Sequence, residues 1–304
     1  MKTTKVAKKL RARIGRFSGE LSKGLCLAAQ RFVSEMVYGM QAAQSVMLTE
    51  IGRALEEGIS LHKTEDRLSR NLQRPELEGT VQDNVLRLGA GHIGRDTLLV
   101  LDPSDVSEKY AEKMEYLATV RDGSEQELAQ DYWTLHIIGA EVGSNKMTPL
   151  YQRLYSAEAP NFVSENEEIL GAIDTVRRHL GDRGIWVIDR GGDRINLFAP
   201  LLEREERFLV RLLGNRHLIY NGQRLLASEV ALGCRCKHRK TVVRVEGKRE
   251  RVYDLEFGFR RVRLPDRPEP LCLLVIRGFG DKPLMLLTTE PLRSSFKCLW
   301  YWVR

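Results

Sequence analysis

Two short apolar runs, Leu98–Leu101 and Ile185–Ile188, each lead directly into an aspartate, Asp102 and Asp189. A continuous apolar run, as opposed to an alternating one, is the pattern of a strand buried on both faces, and such strands belong in the middle of a covered sheet. The elements between them read in a definite order. Tyr132–Val142 is a second strand, Gly143-Ser144-Asn145 a turn, and Lys146–Tyr155 a third strand. Ser164 then caps a helix over residues 164–180, with Glu167 completing a capping box and Ile169, Ile173, Val176 and Leu180 on one side. After Asp189 the chain turns β-rich: Arg207–Leu213, Thr241–Glu246, Val252–Phe259, Leu271–Arg277 and Leu284–Thr289 all carry strand patterns.

The chain ahead of this region has a different period. Phe32, Met36, Met40, Ala43, Met47, Ile51 and Leu55 recur at spacings of three and four, which predicts one amphipathic helix or two in series. Gly58 ends that pattern, and Thr64 can cap a short helix to about Leu72, before Pro75. Helix, turn and helix, with Arg67 and Arg70 on the second element, fits either a DNA-reading pair or plain helical packing. Gly89-Ala90-Gly91-His92-Ile93-Gly94 spells G-x-G-x-x-G, but a helix precedes it and a strand follows. That order inverts the dinucleotide-binding motif, so the segment reads as a flexible link between domains.

Charge is divided along the chain. Residues 1–24, with Lys5, Lys8, Lys9, Arg11, Arg13 and Arg16 as a basic arm, carry a net +7; residues 25–203 carry −11 and residues 204–264 carry +9. Carboxylates between two basic segments suit an enzyme that concentrates metal and grips phosphate; a solvated tail and an exposed basic sheet give the same numbers. No apolar run approaches the ~20 residues of a membrane span, and the would-be apolar core after the basic start is interrupted by Gln30 and Arg31, so the expectation is a cytoplasmic protein. The five cysteines are odd in number and scattered, as for reduced thiols. Cys234-Arg235-Cys236-Lys237-His238 is spaced too tightly for a structural zinc site and reads as strand thiols beside a basic turn.

Two aspartates at the ends of core strands bring distant carboxylates to one edge of a sheet, unless each merely caps its own strand. Oxygen ligands of this kind suit Mg²⁺ or Mn²⁺, and two such ions ~4 Å apart can drive phosphodiester displacement. The segments Leu101-Asp102-Pro103-Ser104-Asp105 and Val187-Ile188-Asp189-Arg190-Gly191-Gly192-Asp193 resemble the first and second aspartate motifs of DDE transposases. The nearest branch is the insertion-sequence-four family, which includes relatives of the Tn-five transposase. Arg207-Phe208-Leu209-Val210-Arg211 resembles the strand that follows the second aspartate there.

The resemblance implies a mixed α+β protein in four parts: a helical DNA-binding domain over 1–90, the first part of a ribonuclease-H-like core over 95–213, a β-rich insertion domain over 214–292, and the start of a returning core helix over 293–304. Asp102 and Asp189 would be catalytic and hold two Mg²⁺ (or Mn²⁺) ions. Arg211 would face DNA beside them, with Arg235, Lys237, Arg239 and Lys240 supplying phosphate contacts and Arg67 and Arg70 contacts in the helical domain. The partner would be double-stranded DNA, as transposon ends and target, engaged by a homodimer in a bacterial, nucleoid-associated setting. The family's third carboxylate lies in a Tyr-x2-Arg-x3-Glu-x6-Lys pattern; Tyr301 and Arg304 fit its first half, and the glutamate would fall beyond Arg304. Glu290, between Thr289 and Pro291, is a strand-end acid and not that glutamate. An incomplete site leaves two further expectations open: a catalytically inactive DNA-binding remnant or inhibitor of transposition, and a ribonuclease-H-like nuclease that never joins strands.

Overall fold

A computed structural model describes residues 2–107, 114–121, 128–141, 143–246 and 249–290. The Tyr301/Arg304 spacing, the Trp300-Tyr301-Trp302 cluster, the returning helix over 293–304, Cys298 and Val142 lie outside them. The chain divides into two compact units, 1–91 and 92–304. The division falls inside the glycine-rich segment.

The first unit holds five helices: α1 (Lys2–Leu21), α2 (Leu27–Ala43), α3 (Leu48–Ala54), α4 (Leu61–Leu72) and α5 (Pro75–Ala90). Its core joins Leu21, Leu25, Ala29, Phe32, Val33, Ile51 and Leu68, with Met36, Met40, Leu55 and Leu88 packed on its margin. The long apolar periodicity is therefore two helices, broken where Gln44 adopts a left-handed conformation at φ 51°. Helix α4 starts three residues ahead of the expected cap, after Ser60 in extended geometry. Thr64 is buried in the helix and its hydroxyl donates to Glu57 (2.9 Å), so it serves packing between segments and not the helix end. Pro75, the expected stop, opens α5 instead, because a first-turn proline loses no hydrogen bond. Asn84 of α5 donates to the carbonyls of Leu21 (3.0 Å) and Lys23 (2.9 Å), satisfying acceptors that the end of α1 leaves open.

Among the described residues, the second unit is built on a mixed sheet of ten strands: β1 (Leu98–Ser107), β2 (Ala118–Arg121), β3 (Leu128–Ala140), β4 (Met147–Tyr155), β5 (Ile185–Ile188), β6 (Phe208–Arg211), β9 (His238–Glu246), β10 (Arg249–Val262), β11 (Leu271–Arg277) and β12 (Leu284–Thr288). A separate hairpin pairs β7 (His217–Tyr220) with β8 (Gln223–Leu226). The helices are α6 (Glu165–Leu180), α7 (Ile195–Glu203) and α8 (Ala227–Leu232). The sheet order is β2-β3-β1-β5-β6-β12-β11-β10-β9, with β4 also paired to β3. Strand β1 is antiparallel to β3 and parallel to β5, and β5 is parallel to β6.

The apolar run at Leu98 does not end its strand at Leu101 as the sequence pattern suggests. Strand β1 continues through Asp102 to Ser107, paired with β3 throughout. Its ladder with β5 stops at Leu101↔Ile188, so beyond that point one side of β1 has no β5 neighbour. Pro103, which cannot donate to a ladder, is tolerated at that open side. The β-rich segment does not stand apart as a separate sheet: β12 pairs with β6 through Leu286↔Arg211, Leu287↔Val210 and Thr288↔Leu209, extending the sheet that holds the two aspartates.

Side-chain alternation divides this sheet into two faces. One face carries Trp186, Phe208 and Val210, with the Phe198 ring of α7 5.7 Å from that of Phe208 and the Arg177 guanidinium of α6 5.2 Å over Trp186. The other face carries Leu98, Ile185, Leu209, Leu255, Phe257, Leu274, Ile276, Leu284 and Leu286, joined in one cluster with Val100, Val187, Val242, Tyr253 and Phe279 at its margin. Full burial of each such side chain stabilises by about 1.5–3 kcal/mol.

Candidate active site

The second face ends in chemistry. Leu98 and Val100 belong to the apolar cluster, and two residues on along β1 is Asp102. In β5, Ile185 and Val187 belong to it, and the next residue of the same parity is Asp189. In β6, Leu209 belongs to it, and Arg211 follows. The parallel registers Leu101↔Ile188 and Ile188↔Val210 therefore set Asp102, Asp189 and Arg211 side by side at one edge of three neighbouring strands.

Both carboxylates are exposed. Asp102 is nevertheless pushed above the ordinary aspartate pKa, first by the desolvation its surroundings impose and then by the negative charge of Asp189. Asp189 Oδ1 accepts from the Gly191 amide (2.7 Å), and the chain closes a single 3₁₀ turn, Arg190–Gly192. That turn leaves no room at Gly192, where an added Cβ would lie 2.6 Å from Ile188 Cγ2. Asp193, in the same motif, is structural: it is buried and accepts from the Leu213 amide (2.8 Å) and Arg216 Nε (2.6 Å), tying the turn to the end of β6.

Sequence reasoning does not single out His136. It pairs with Asp102 across β1 and β3, on the same face, and its charge pulls the Asp102 pKa back down. Its Nε2 lies 3.0 Å from Thr134 Oγ1, whose hydroxyl also lies 3.2 Å from the Ser104 carbonyl. One histidine in an alternating strand gives no local signal of this. Arg190, in the turn directly after Asp189, is the other addition. Burial lowers the Arg211 pKa first, Arg190 and Arg244 lower it further, and Asp189 opposes them.

The remaining expected residues lie elsewhere. Glu290 is held by Arg207 through two hydrogen bonds (2.7 and 2.8 Å) where β6 begins. A strand of this length spans about 13 Å, which separates Glu290 from the edge where Asp189 stands. Arg235, Lys237 and Arg239 are exposed ahead of and within β9, Lys240 is half-buried, and Arg239 pairs with Glu256 (2.8 Å). In the helical unit, Arg67 is ion-paired with Glu35 and with Glu57 (2.7 Å), which matches its charge locally, whereas Arg70 is exposed with Nε on the Asp66 carbonyl (3.2 Å). Cys234 is buried, and its neighbour Cys236 lies 3.9 Å from the Cys234 carbonyl. Among the described residues, no three His, Cys, Asp or Glu side chains are grouped to hold a metal ion, and no helix is long and apolar enough to cross a membrane.

No family model matches the chain, and no curated protein matches it. Among solved structures, it is similar to the piggyBac transposase of a synaptic complex with hairpin DNA, at 12% sequence identity and a TM-score of 0.40. The similarity covers 87% of this chain and 54% of that one, so the chain spans about half the length of that transposase.

Proposed function

We propose that this chain is a DNA transposase of the DDE type, related to the insertion-sequence-four family, with Asp102 and Asp189 as two members of its catalytic carboxylate set. The observation that carries the reading is the adjacency of Asp102 and Asp189 on one face at one edge of parallel strands, reached from two separate transposase-like motifs. The strand arrangement supports it: β4-β3-β1-β5-β6, with β3 antiparallel to β1 and β5 and β6 parallel to it, is the order of a ribonuclease-H-like core.

The donor chemistry fits Mg²⁺ or Mn²⁺, since both residues offer carboxylate oxygens at one sheet edge. When bound, a pair of such ions would activate a water or a 3′-hydroxyl and stabilise the leaving oxygen. The chain's own residues have separate tasks. Asp102 and Asp189 hold the cations, the Gly191 amide fixes the Asp189 carboxylate, and Arg211 neutralises the phosphate beside them. Arg70, Arg235, Lys237, Arg239 and Lys240 contribute phosphate contacts that position the duplex without reading its bases; Arg67 joins them only by leaving its carboxylate partners. Work on paired element ends by a homodimer, in the bacterial cytoplasm at the nucleoid, belongs to the same proposal.

The test is nicking of supercoiled plasmid by the full chain in Mn²⁺ or Mg²⁺, with duplex binding measured in parallel. Metal-dependent nicking that disappears in both Asp102→Asn and Asp189→Asn, with binding retained, is the expected result. Nicking that survives in either variant removes the carboxylates from the mechanism. Duplex binding without nicking by the unaltered chain favours the non-catalytic DNA-binding protein, and nicking without joining of a pre-cleaved end favours a nuclease.

A further inference from the structure

The strand registers extend the edge beyond the two aspartates. Across β1 and β3, Asp102 stands directly opposite His136. Across β1 and β5, Leu101 stands opposite Ile188, so Asp102 and Asp189 follow at one level. Ile188 opposite Val210 brings Arg211 of β6 to the same level. Parity sets His136 on the face of the aspartates. Leu98 belongs to the apolar cluster, Ala140 opposite it lies at the cluster margin, and His136 is four residues from Ala140 along β3. The result is one row across four strands: His136, Asp102, Asp189 and Arg211. At about 4.8 Å per strand spacing, the row spans about 14 Å.

The imidazole is anchored at one nitrogen. Nε2 lies 3.0 Å from Oγ1 of Thr134, a buried residue whose hydroxyl also lies 3.2 Å from the Ser104 carbonyl. Among the described residues, Nδ1 has no hydrogen-bond partner, and no hydrogen bond or ion pair joins the ring to Asp102. Directly opposed side chains in a sheet start from Cβ atoms only about 4.5–5.5 Å apart. A histidine that served Asp102 alone would bond to it at that range. In the tautomer that accepts from Thr134 at Nε2, Nδ1 carries the ring proton and can donate. An anion above the edge selects that tautomer.

We propose that His136 is a substrate-binding residue of this edge, a hydrogen-bond donor to the DNA phosphate next to the reacting one on the β3 side. The inference rests on the reading of the edge as a phosphodiester site. It adds a direction: the DNA strand crosses the sheet along the row, with the reacting phosphate over Asp102 and Asp189. His136 stands about 7 Å, one and a half strand spacings, from the midpoint of the two carboxylates. Successive phosphates of one strand advance about 3.4 Å along the duplex axis. The ring therefore meets a neighbour of the phosphate that the carboxylates address.

The experiment measures binding of a short fluorescein-labelled duplex by the full chain without divalent metal, and KM and kcat of plasmid nicking in Mn²⁺. His136→Leu, which fills the space without a donor, should weaken binding about 3- to 10-fold and raise KM by that factor, with kcat changed less than about two-fold. His136→Gln, which keeps an N–H, should stay within about two-fold of the unaltered chain. His179→Gln, on α6 against the opposite face, should leave binding and KM unchanged. Equal affinity in the unaltered chain, His136→Leu and His136→Gln overturns the contact, and a lower melting temperature alone marks the ring as a support for β3. Where His136→Leu fails to fold, the unaltered chain decides. Duplex should shield His136 from carbethoxylation by diethyl pyrocarbonate, read by peptide mass, and should leave His179 as reactive as before; an unshielded His136 overturns the contact. Nicking by a chain whose affinity and KM ignore His136→Leu would defeat the contact alone. Weakened binding by His136→Leu in a chain that never nicks would uphold the contact and defeat the proposed reaction.

Discussion

Replacing Glu206 by alanine should cost the second unit about 3–4 kcal/mol, for reasons that can be counted at the site. The Glu206 carboxylate is 7% exposed. It accepts from Arg177 Nε at 2.9 and 2.7 Å and from Trp186 Nε1 at 2.9 Å. It thereby joins α6 to β5, the strand that presents Asp189. Removing one partner of a buried ion pair typically costs 3–5 kcal/mol, because the other charge is left without compensation. The Trp186 N–H, left without an acceptor, adds about 1–3 kcal/mol if nothing replaces it. Two features moderate the sum: Arg177 keeps the Gly181 carbonyl (2.9 Å) and its stacking over the Trp186 ring. All four tryptophans fall in residues 92–304, so fluorescence during urea unfolding reports on this unit alone. The midpoint should fall by about 1 M or more. Glu206→Gln, which retains an acceptor for Trp186, should lose roughly half as much. A loss below about 1 kcal/mol in Glu206→Ala would refute the view that this pair holds α6 on β5.

Gly192→Ala should destabilise by about 1–3 kcal/mol and misplace Asp189, because its Cβ would meet Ile188 Cγ2 at 2.6 Å in a packed turn; denaturation and metal-dependent nicking check the two effects. Gly222→Ala, at φ 79°, should cost about 1 kcal/mol in thermal unfolding without touching nicking, since the β7–β8 turn requires a left-handed residue. Asp102 gives a pH test. Its folded-state pKa is raised, so the stability it contributes is complete below the ordinary aspartate pKa and is lost as pH rises through the raised value. Asp102→Asn should therefore melt higher than the unaltered chain at neutral pH in metal-free buffer, with the difference shrinking toward acid; an equal gap at both ends of the titration would contradict the raised Asp102 pKa.

The parts of the site that sequence exposes are those whose signals are local. An apolar run followed by an aspartate can be recognised without any partner, and so Asp102 and Asp189 are legible. Ser164 and Glu167 announce α6 in the same way, and the Ser164 hydroxyl does accept from the Glu167 amide (3.2 Å). Asn221-Gly222 is an equally local hairpin signal, obscured because the flanking strands His217–Tyr220 and Gln223–Leu226 are short and polar. Other features are not local at all. That β12 lies beside β6, and that His136 faces Asp102, depends on pairings between distant segments. Helix boundaries around Thr64 and Pro75 depart from the sequence pattern for a related reason, since tertiary partners decide which polar group caps a helix and which bridges two segments.

The pairing of β6 with β12 also has a temporal side. Thr288 Oγ1 donates to the Phe208 carbonyl, 80 positions away in sequence, and strand pairings of such range are slow to form because the closing loop must surrender its entropy first. During synthesis, β6 emerges well before the strand that will flank it, and at about 5–20 residues per second that wait lasts on the order of several seconds. Until then one side of the strand bearing Arg211 has an unfilled hydrogen-bonding edge. The carboxylate edge is thus assembled late in folding, when the distal β segment arrives to complete the sheet on which it stands.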